Sequence, residues 1–412
     1  MTKGTGPKRV LFVQRPAGGG SMTCLLDLIR CLDRDRFEPV VLTYQSDTGY
    51  EAALEGLAAR VVSLNRQPTP RRAKAERSGH EVPRPNPGWR QVKRLLRLEL
   101  PVGRQIARVI RSEGIQLVHN NDNPRGDRPS MLGAWMAGVP QVSHVRYTPV
   151  YYPPMDRRLS KVVSRYVPMS QAIRAHMAEN LGDIETPIEV VYDPFHFDVH
   201  DQALADHTVD KRDFGFAEDD FVLANVGRVV PWKGQDVFLK ALRKTVDACP
   251  NVKAVIVGGA KDHDESREFW DRLQRLTEEL GLQDSVCFAG FRSDVPSIMA
   301  AADLVVHTAT MPEPFGKVLV EAMASRAPVV ATGAGGPLEI VAEGESGLLV
   351  PANDPDALAE ALVKLASNRE ATRTMGDQAR ALAEERYGVS AFRDAFSRIL
   401  DEALSGTPPA RG

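Results

Sequence analysis

Short runs of apolar residues recur along most of the chain, and each is followed by a stretch whose apolar positions return at helical spacing. Such runs are typical of strands buried on both faces, and their alternation with helices predicts parallel sheets covered by helices. The predicted strands of the first half are residues 9–14, 38–44, 60–64, 115–119, 141–145, 166–169 and 188–192. Those of the second half are residues 221–226, 252–257, 285–289, 304–307, 328–331 and 348–350. Each half therefore predicts a doubly wound, Rossmann-like α/β domain.

The two halves predict two parallel-sheet domains facing a central cleft, the first over residues 1–198 and the second over residues 199–388. Between them, residues 193–207 lose the periodicity and gain turn-forming residues, which indicates a hinge. The chain ends in helices, and residues 389–404 place apolar side chains at helical spacing, namely Phe392, Phe396, Ile399 and Leu400. We expect this last helix either to pack back on the first domain or to lie on the second alone.

The composition indicates a globular protein without a highly charged partner. The 412 residues are 43% hydrophobic and carry a formal net charge of −2, which gives no reason to expect a nucleic-acid partner. The four cysteines, at positions 24, 31, 249 and 287, lack close pairs and histidine neighbours, so we expect neither disulfides nor a zinc site. No stretch has the apolar length of a membrane span and the start lacks a signal-peptide core, so the expected place is the cytoplasm.

One basic stretch fits neither domain pattern. Residues 66–98 contain ten Lys or Arg, two Glu and five Pro, a composition that disfavours a packed element. The simpler interpretation is a solvated loop inserted in the first domain. The alternative is a basic surface that contacts anionic lipid headgroups at the inner face of the membrane, or a charged acceptor, helped by the leucines at 95, 96, 98 and 100.

Two carboxylates frame a loop that leads into a helix in the second half. Glu313 precedes a Pro and a Gly, and the helical spacing that follows places Glu321 about two turns into the helix. The first amides of such a helix, those of Gly316, Lys317 and Val318, can hold an anionic group, while Glu321 reaches a hydroxyl-rich part of the same ligand. Alternatively, the two residues are a helix-start charge and a solvated face.

Glycine-rich turns follow three predicted strands. The first, with Gly18 and Gly19, suits a phosphate or a sugar hydroxyl at a helix start, or is only a tight turn. It lacks the spacings of dinucleotide and ATP-binding loops, which disfavours nicotinamide cofactors and ATP hydrolysis. A second turn carries Arg228 and Lys233, two cations suited to a diphosphate, or a plain surface pair. The third, residues 333–339, has amides that could close on the same phosphates.

Two histidines lie near the carboxyl ends of predicted strands in the first half. His119 ends the strand at 115–119, and His144 lies in the strand at 141–145. Because ligands bind beyond the carboxyl ends of strands in open α/β sheets, both are candidates for ligand contact. A structural hydrogen-bonding role is the alternative for each.

These motifs together resemble the retaining family-4 glycosyltransferases of the GT-B fold, also described as group 1. That family carries a Gly-Arg-x4-Lys-Gly loop, a Glu-x7-Glu motif and a Gly-Gly-x-x-Glu turn, present here at residues 227–234, 313–321 and 335–339. The match is strong over about residues 221–351, whereas the first half matches only in outline.

The resemblance implies transfer of a sugar, with retention at the anomeric carbon, from a nucleotide-diphosphate donor to a glycan, a lipid-linked glycan or a small molecule, as in polysaccharide biosynthesis. Arg228 and Lys233 would bind the diphosphate and stabilise the leaving group, and Glu321 would bind the ribose hydroxyls. Glu313 would lie at the donor sugar, and His144 would orient it. The other donor-binding residues implied are Gly18, Gly19, Phe291, Phe315, Gly316, Lys317 and Val318. No organic cofactor and no metal are implied.

Two other functions stay open. A sugar-nucleotide binding protein without activity would keep Arg228, Lys233 and Glu321 but could lose Glu313. Both Glu are present, which favours an enzyme. Another GT-B enzyme, such as a UDP-sugar 2-epimerase, would share the two domains but is not expected to carry both the Glu-x7-Glu and the Arg-x4-Lys motifs. Retention by front-side attack and by double displacement are both compatible with these residues.

Overall fold

The computed structural model describes residues 6–14, 20–64, 88–147, 152, 154–182, 185–259 and 264–406 of the chain. The chain forms two compact units, one made of Met1–Pro194 and Val389–Gly412 and the other of Phe195–Gly388. The boundary between Pro194 and Phe195 corrects the predicted one, because residue 198 lies inside a helix, Phe197–Asp206. The unit boundary lies inside the stretch predicted as the hinge, residues 193–207, but most of that stretch is helical. The only buried side chain of this helix is His200, so no apolar periodicity marks it.

Six parallel strands form the sheet of the first unit. They are β1 (Lys8–Gln14), β2 (Phe37–Thr43), β3 (Arg60–Ser63), β4 (Leu117–Asn120), β5 (Gln141–Val145) and β6 (Arg165–Pro168), in the order β3-β2-β1-β4-β5-β6. The predicted strand at 188–192 is wrong: only Ile188 forms a bridge, to Tyr166. The amide of Tyr166 donates to Pro187 O, and the amides of Glu189 and Val191 donate to Tyr166 O and Pro168 O. Pro168 has no N–H to donate in return, so the ladder is incomplete.

The first unit contains seven helices before the domain boundary in the described residues. They are α1 (Gly20–Cys31), α2 (Thr48–Gly56), α3 (Gly88–Arg94), α4 (Leu100–Ser112), α5 (Arg128–Ala137), α6 (Pro154–Ser160) and α7 (Gln171–Leu181). A π-helical turn, Leu95–Glu99, joins α3 to α4. The expectation that residues 66–98 contain no packed element is therefore wrong for 88–98, and residues 66–87 lie outside the described residues.

The second unit has its own six-stranded parallel sheet. Its strands are β7 (Phe221–Val226), β8 (Val252–Val257), β9 (Val286–Gly290), β10 (Leu304–His307), β11 (Val329–Thr332) and β12 (Gly347–Val350), in the order β12-β11-β10-β7-β8-β9. Its helices are α8 (Phe197–Asp206), α9 (Gln235–Ala248), α10 (Asp264–Glu279), α11 (Val295–Ala301), α12 (Lys317–Ala324), α13 (Pro337–Ile340), α14 (Pro355–Ala366) and α15 (Arg369–Tyr387). Short 3₁₀ turns occur at Lys211–Phe214 and Pro231–Lys233.

The last helix, α16 (Val389–Ser405), belongs to the first unit. Its buried face, which includes Phe392, Phe396 and Ile399, packs in one core with Phe12 of β1 and Leu117 of β4. The other face of the same sheet is covered by α4 and α5. Each sheet reverses its strand order beside its first strand, between β1 and β4 in the first unit and between β7 and β10 in the second. Ligands of open α/β sheets bind beyond the carboxyl ends of the strands at such a point.

Candidate functional site

Two loops of the second unit meet at its strand-order reversal. One follows β7 and contains Lys233, and the other follows β10 and contains Glu313. Lys233 Nζ lies 2.8 Å from both Oε1 and Oε2 of Glu313. The two side chains are 13% and 14% exposed, so the ion pair is largely buried. The structure therefore brings together two residues that the sequence singled out and that lie 80 positions apart.

A histidine that the sequence reasoning missed completes this cluster. His307 is the last residue of β10, and its Nε2 lies 2.6 Å from Glu313 Oε2. An ionised carboxylate only accepts hydrogen bonds, so Nε2 carries the hydrogen. The other ring nitrogen, Nδ1, is buried without a hydrogen-bond partner among the described residues. The strand-end signal used for His119 and His144 is also present at His307, six positions before Glu313.

The charge of Glu313 is set by its surroundings. Burial by itself raises the pKa of Glu313, but the hydrogen bond from His307 and the charge of Lys233 outweigh burial and lower the pKa to about 2. The carboxylate is therefore ionised throughout the physiological range and is not suited to donate a proton.

Close backbone contacts hold the two loops in place. Gly234 has φ 67°, and a Cβ there would lie 2.0 Å from the carbonyl oxygen of Thr308. A Cβ at Gly336 would lie 2.0 Å from the carbonyl oxygen of Phe315. The amide of Gly336 donates to the carbonyl of Glu313 at 2.8 Å. The expectation that the amides of residues 333–339 close on a diphosphate is therefore wrong for Gly336, since its amide supports the Glu313 loop instead.

Arg228 and Lys233 flank one indole ring. The guanidinium carbon of Arg228 lies 5.6 Å from the ring centroid of Trp232, and Lys233 Nζ lies 4.5 Å from the same centroid. The Arg228 side chain is exposed, and no carboxylate pairs with it among the residues that the structure describes. The β7 loop therefore presents one exposed cation, together with one that is paired to Glu313.

Helix α12 begins directly after the Glu313 loop. Gly316, with φ 107°, precedes its first residues, Lys317 and Val318, and Gly316 O accepts a hydrogen bond from the amide of Leu319 at 2.9 Å. Glu321 is the fifth helical residue, so it lies just over one turn into α12 rather than the predicted two turns.

Two predicted donor-binding aromatic residues differ in exposure. Phe315 is buried, and its ring centroid lies 5.7 Å from that of Tyr387, so its side chain contributes to the core rather than to a ligand surface. Phe291, directly after β9, is 79% exposed and stays a predicted donor contact. Gly18 and Gly19 lie outside the described residues.

His144 of the first unit is fully buried. Its ring centroid lies 5.5 Å from that of His119 and 6.2 Å from that of Phe396 in α16. Burial, followed by the positive charge of Arg146, lowers the pKa of His144 well below its usual value, so the ring is neutral at pH 7. The predicted contact of His144 with the donor sugar stays a prediction, and in this structure its ring packs against Phe396 of the helix α16 that covers this face of the sheet.

A buried polar network surrounds this histidine. Arg146 pairs with Asp193, and its Nε donates to Asn121 Oδ1 at 3.0 Å. Asn121 in turn donates to Gln14 Oε1 at 2.8 Å. Burial opposes the charge of Arg146, but Asp193 outweighs it and the pKa of Arg146 lies above its ordinary value. The network therefore joins the ends of β1, β4 and β5 to the last residues before the unit boundary.

Metal-binding clusters and membrane-spanning helices are both absent from the described ranges, 6–406 with their gaps. No three His, Cys, Asp or Glu side chains there are grouped to hold a metal ion. No helix in that part of the chain is both long and apolar enough to cross a membrane.

Two doubly wound α/β units, one with a Lys-Glu-His cluster at its strand-order reversal, define the chain as a GT-B protein. Solved structures share the fold. The crystal structure of Anabaena Alr3699/HepE in complex with UDP has a TM-score of 0.76 and 25% identity, and the match covers 96% of this chain and 100% of that one. A glycosyltransferase from Rickettsia africae ESF-5 has a TM-score of 0.79 at 19% identity over 97% of this chain and 99% of that one.

Sequence comparisons identify the family. The model of glycosyl transferases group 1 matches residues 206–382, and that of glycosyltransferase family 4 matches residues 18–198. The chain therefore belongs to the group 1 and family 4 glycosyltransferases of the GT-B fold, as its motifs predicted.

Curated relatives match over part of their length. The D-inositol 3-phosphate glycosyltransferase of Corynebacterium glutamicum is 36% identical over 173 residues, which are 41% of this chain and 40% of that protein. The enzyme of that name from Mycolicibacterium smegmatis is 29% identical over 298 residues, 71% of this chain and 64% of that protein. The matched segments thus span about half the length of these relatives.

Proposed function

We propose that the chain is a retaining glycosyltransferase that moves a sugar from a UDP-linked donor to a hydroxyl group of an acceptor. Family membership supports transfer. The choice of UDP rests on Anabaena Alr3699/HepE, whose solved complexes contain UDP or UDP-glucose and which is 25% to 26% identical to this chain. The acceptor class is a glycan, a lipid-linked glycan or a small molecule.

The observation that carries the proposal is the contact between Lys233 and Glu313 at the strand-order reversal of the second unit. This is the place where α/β sheets bind nucleotides. An ammonium group has three N–H donors, and Glu313 uses two of those of Lys233. The third donor and the exposed guanidinium of Arg228 supply the positive charge that a diphosphate requires.

Breaking the bond between sugar and phosphate places negative charge on the departing nucleotide diphosphate. Lys233, Arg228 and the first amides of α12 are fixed donors that stabilise this charge without reorganising during the reaction. Glu321, one turn further along α12, hydrogen-bonds the ribose hydroxyls. None of these roles requires a metal ion, so we expect transfer activity to be unchanged when a metal chelator is added.

Glu313 orients the donor sugar and balances the charge of Lys233 in this proposal. A carboxylate whose pKa is lowered to about 2 is a weak base and a weak nucleophile, which disfavours double displacement. The proton of the acceptor hydroxyl then passes to the leaving phosphate in a front-side attack. His307 acts through Glu313 as a positioning residue, because its Nε2–H directs one carboxylate oxygen.

The experiment compares UDP-, GDP- and ADP-linked sugars by thermal stabilisation and by slow hydrolysis of the donor. UDP-sugars are expected to stabilise the protein and to be hydrolysed, with the α-anomer retained in any transfer product. A folded protein that responds to none of them would refute the proposal. Stabilisation without hydrolysis or transfer would favour a sugar-nucleotide binding protein, and recovery of an epimerised sugar would favour an epimerase.

A further inference from the structure

An exposed face of α3 and the π-helical turn after it combines apolar and cationic side chains. Trp89, Val92 and Leu96 are 62%, 46% and 58% exposed. At about 100° per residue, positions 89, 92 and 96 fall within one narrow sector of a helix. Arg90, Lys93 and Arg97 are also exposed and occupy the adjoining sector. We call these six side chains, at positions 89, 90, 92, 93, 96 and 97, the basic apolar face.

The helical segment is anchored from behind, at its carboxyl end. Glu99 is buried and accepts a hydrogen bond from Arg94 Nε at 2.8 Å, and Arg128 Nη1 lies 3.5 Å away. Arg128 in turn pairs with the buried Asp156. Behind the segment, α4 packs closely on α5, where a Cβ at Gly133 would lie 2.8 Å from a methyl group of α4. The carboxyl end of the face is therefore carried by a turn that is anchored to α5.

The face carries a local positive charge that the chain as a whole lacks. No Asp or Glu occurs between positions 88 and 98, and the only acid that follows closely, Glu99, is buried and paired. Arg104 and Arg108 continue the exposed cationic positions along α4. Over the described part of the first unit, no carboxylate pairs with Arg90, Lys93 or Arg97. The formal net charge of the whole chain is −2, so the positive charge of this face is a local feature.

We propose that the basic apolar face docks the protein on an anionic phospholipid bilayer. A bilayer surface offers anionic headgroups for the cations and, a few ångströms deeper, an apolar region for Trp89, Val92 and Leu96. Tryptophan is enriched at that boundary. A nucleic acid would satisfy the cations but would leave the aliphatic side chains exposed to water. The inference does not depend on the proposed transfer reaction.

The test uses the full chain and sedimentation with vesicles of phosphatidylcholine, with and without about one quarter phosphatidylglycerol, at low and high salt. We expect binding to the anionic vesicles only. The triple variant Arg90→Gln, Lys93→Gln, Arg97→Gln should bind at least about tenfold more weakly. The variant Trp89→Ser, Leu96→Ser should lose the part of the binding that survives high salt.

A matched variant separates local charge from net charge. Lys240→Gln, Arg275→Gln, Lys364→Gln removes three exposed cations of the second unit, with the same change in net charge, and should bind like the wild type. Circular dichroism and thermal unfolding establish that each variant is folded. The proposal would be overturned if the control variant lost as much vesicle binding as the triple variant, or if both face variants bound vesicles like the wild type. It would also be overturned if the wild-type protein did not bind anionic vesicles, or if it bound double-stranded DNA but not vesicles.

Discussion

Replacing Lys233 with alanine tests whether the Lys233–Glu313 pair serves activity as well as stability. At an effective dielectric constant of ~20, two unit charges 2.8 Å apart attract by about 6 kcal/mol, and desolvation of both groups offsets much of it. The substitution leaves Glu313 largely buried with the hydrogen bond from His307. We therefore expect the free energy of unfolding to fall by about 3 kcal/mol, near the lower end for a broken buried pair.

The second unit offers a matched control in Lys211→Ala. Lys211 Nζ lies 2.6 Å from Asp303 Oδ2, and the two side chains are 18% and 13% exposed, close to the burial of the first pair. After the substitution Asp303 keeps the hydrogen bond from the amide of Val222, as Glu313 keeps that from His307. Asp303 precedes β10, so this pair lies at the opposite end of the strand from His307. Loss of the Lys211–Asp303 pair should lower the free energy of unfolding by about as much as loss of the Lys233–Glu313 pair.

Urea unfolding and hydrolysis of a UDP-sugar distinguish the two variants. Lys233→Ala is expected to lose donor hydrolysis by at least about a hundredfold, the scale for one fixed donor to a developing anion. Lys211→Ala should keep most of its activity below the onset of unfolding. Equal loss of hydrolysis in both variants would show that destabilisation alone explains the effect. Unchanged stability and hydrolysis in Lys233→Ala would refute the reasoning from the pair altogether.

Three further predictions concern the same loops. His307→Ala should lower kcat for donor hydrolysis about tenfold or more, and His307→Gln, which restores an N–H donor, should recover part of it. The pKa of Glu313 is lowered from 4.5 to about 2, so the ionised carboxylate contributes roughly 3 kcal/mol to the free energy of unfolding above pH 4.5. This contribution is lost as the pH falls towards 2, and urea unfolding of Glu313→Gln measured against pH should not show the loss. Gly336→Ala places a Cβ 2.0 Å from Phe315 O and should destabilise by about 3 kcal/mol or more, whereas Gly56→Ala meets open space at a helix end and should be neutral or slightly stabilising in thermal unfolding.

The sequence predicted the strands well where a short apolar run carries its own information. The runs at residues 221–226, 252–257 and 304–307 coincide with β7, β8 and β10. A strand buried on both faces needs apolar residues at every position, and this requirement is local. The run at 188–192 is mainly apolar too, and its amides donate to Tyr166 and Pro168 of β6, but Pro168 has no N–H to return a bond and complete the ladder. The neighbouring strand β6 therefore determines whether residues 188–192 form a strand, and the sequence of the run does not reveal this.

The sequence predicted which loops form the site, but it did not predict which side chains contact each other there. The family motifs identify Lys233 and Glu313 separately, and the register of β7 against β10 brings the loops that carry them together. His307 carries the same strand-end signal as His119 and His144, but its contact with Glu313 is visible only in the structure. The glycines of residues 333–339 suggested phosphate binding by their type, whereas the structure uses Gly336 to let two backbones approach. Glycine serves both purposes, and the sequence alone does not separate them.

Polar residues at the carboxyl ends of central strands lie in different surroundings in the two units. A polar residue at the carboxyl end of a central strand predicts a ligand contact. In the second unit the Glu313 side chain beside His307 is 14% exposed, so this contact stays a prediction that the geometry allows. In the first unit His144 occupies the corresponding kind of position but is sealed by Phe396 of α16, more than 250 residues further along the chain. Burial lowers the pKa of His144 and that of His119, the latter to about 3, so neither ring is charged at neutral pH. Two neutral rings and the Arg146–Asp193 pair therefore lie together in the buried interior of the first unit. The strand-end position is the same in both units, and the covering helix α16 makes the difference in exposure between His144 and the Glu313 carboxylate.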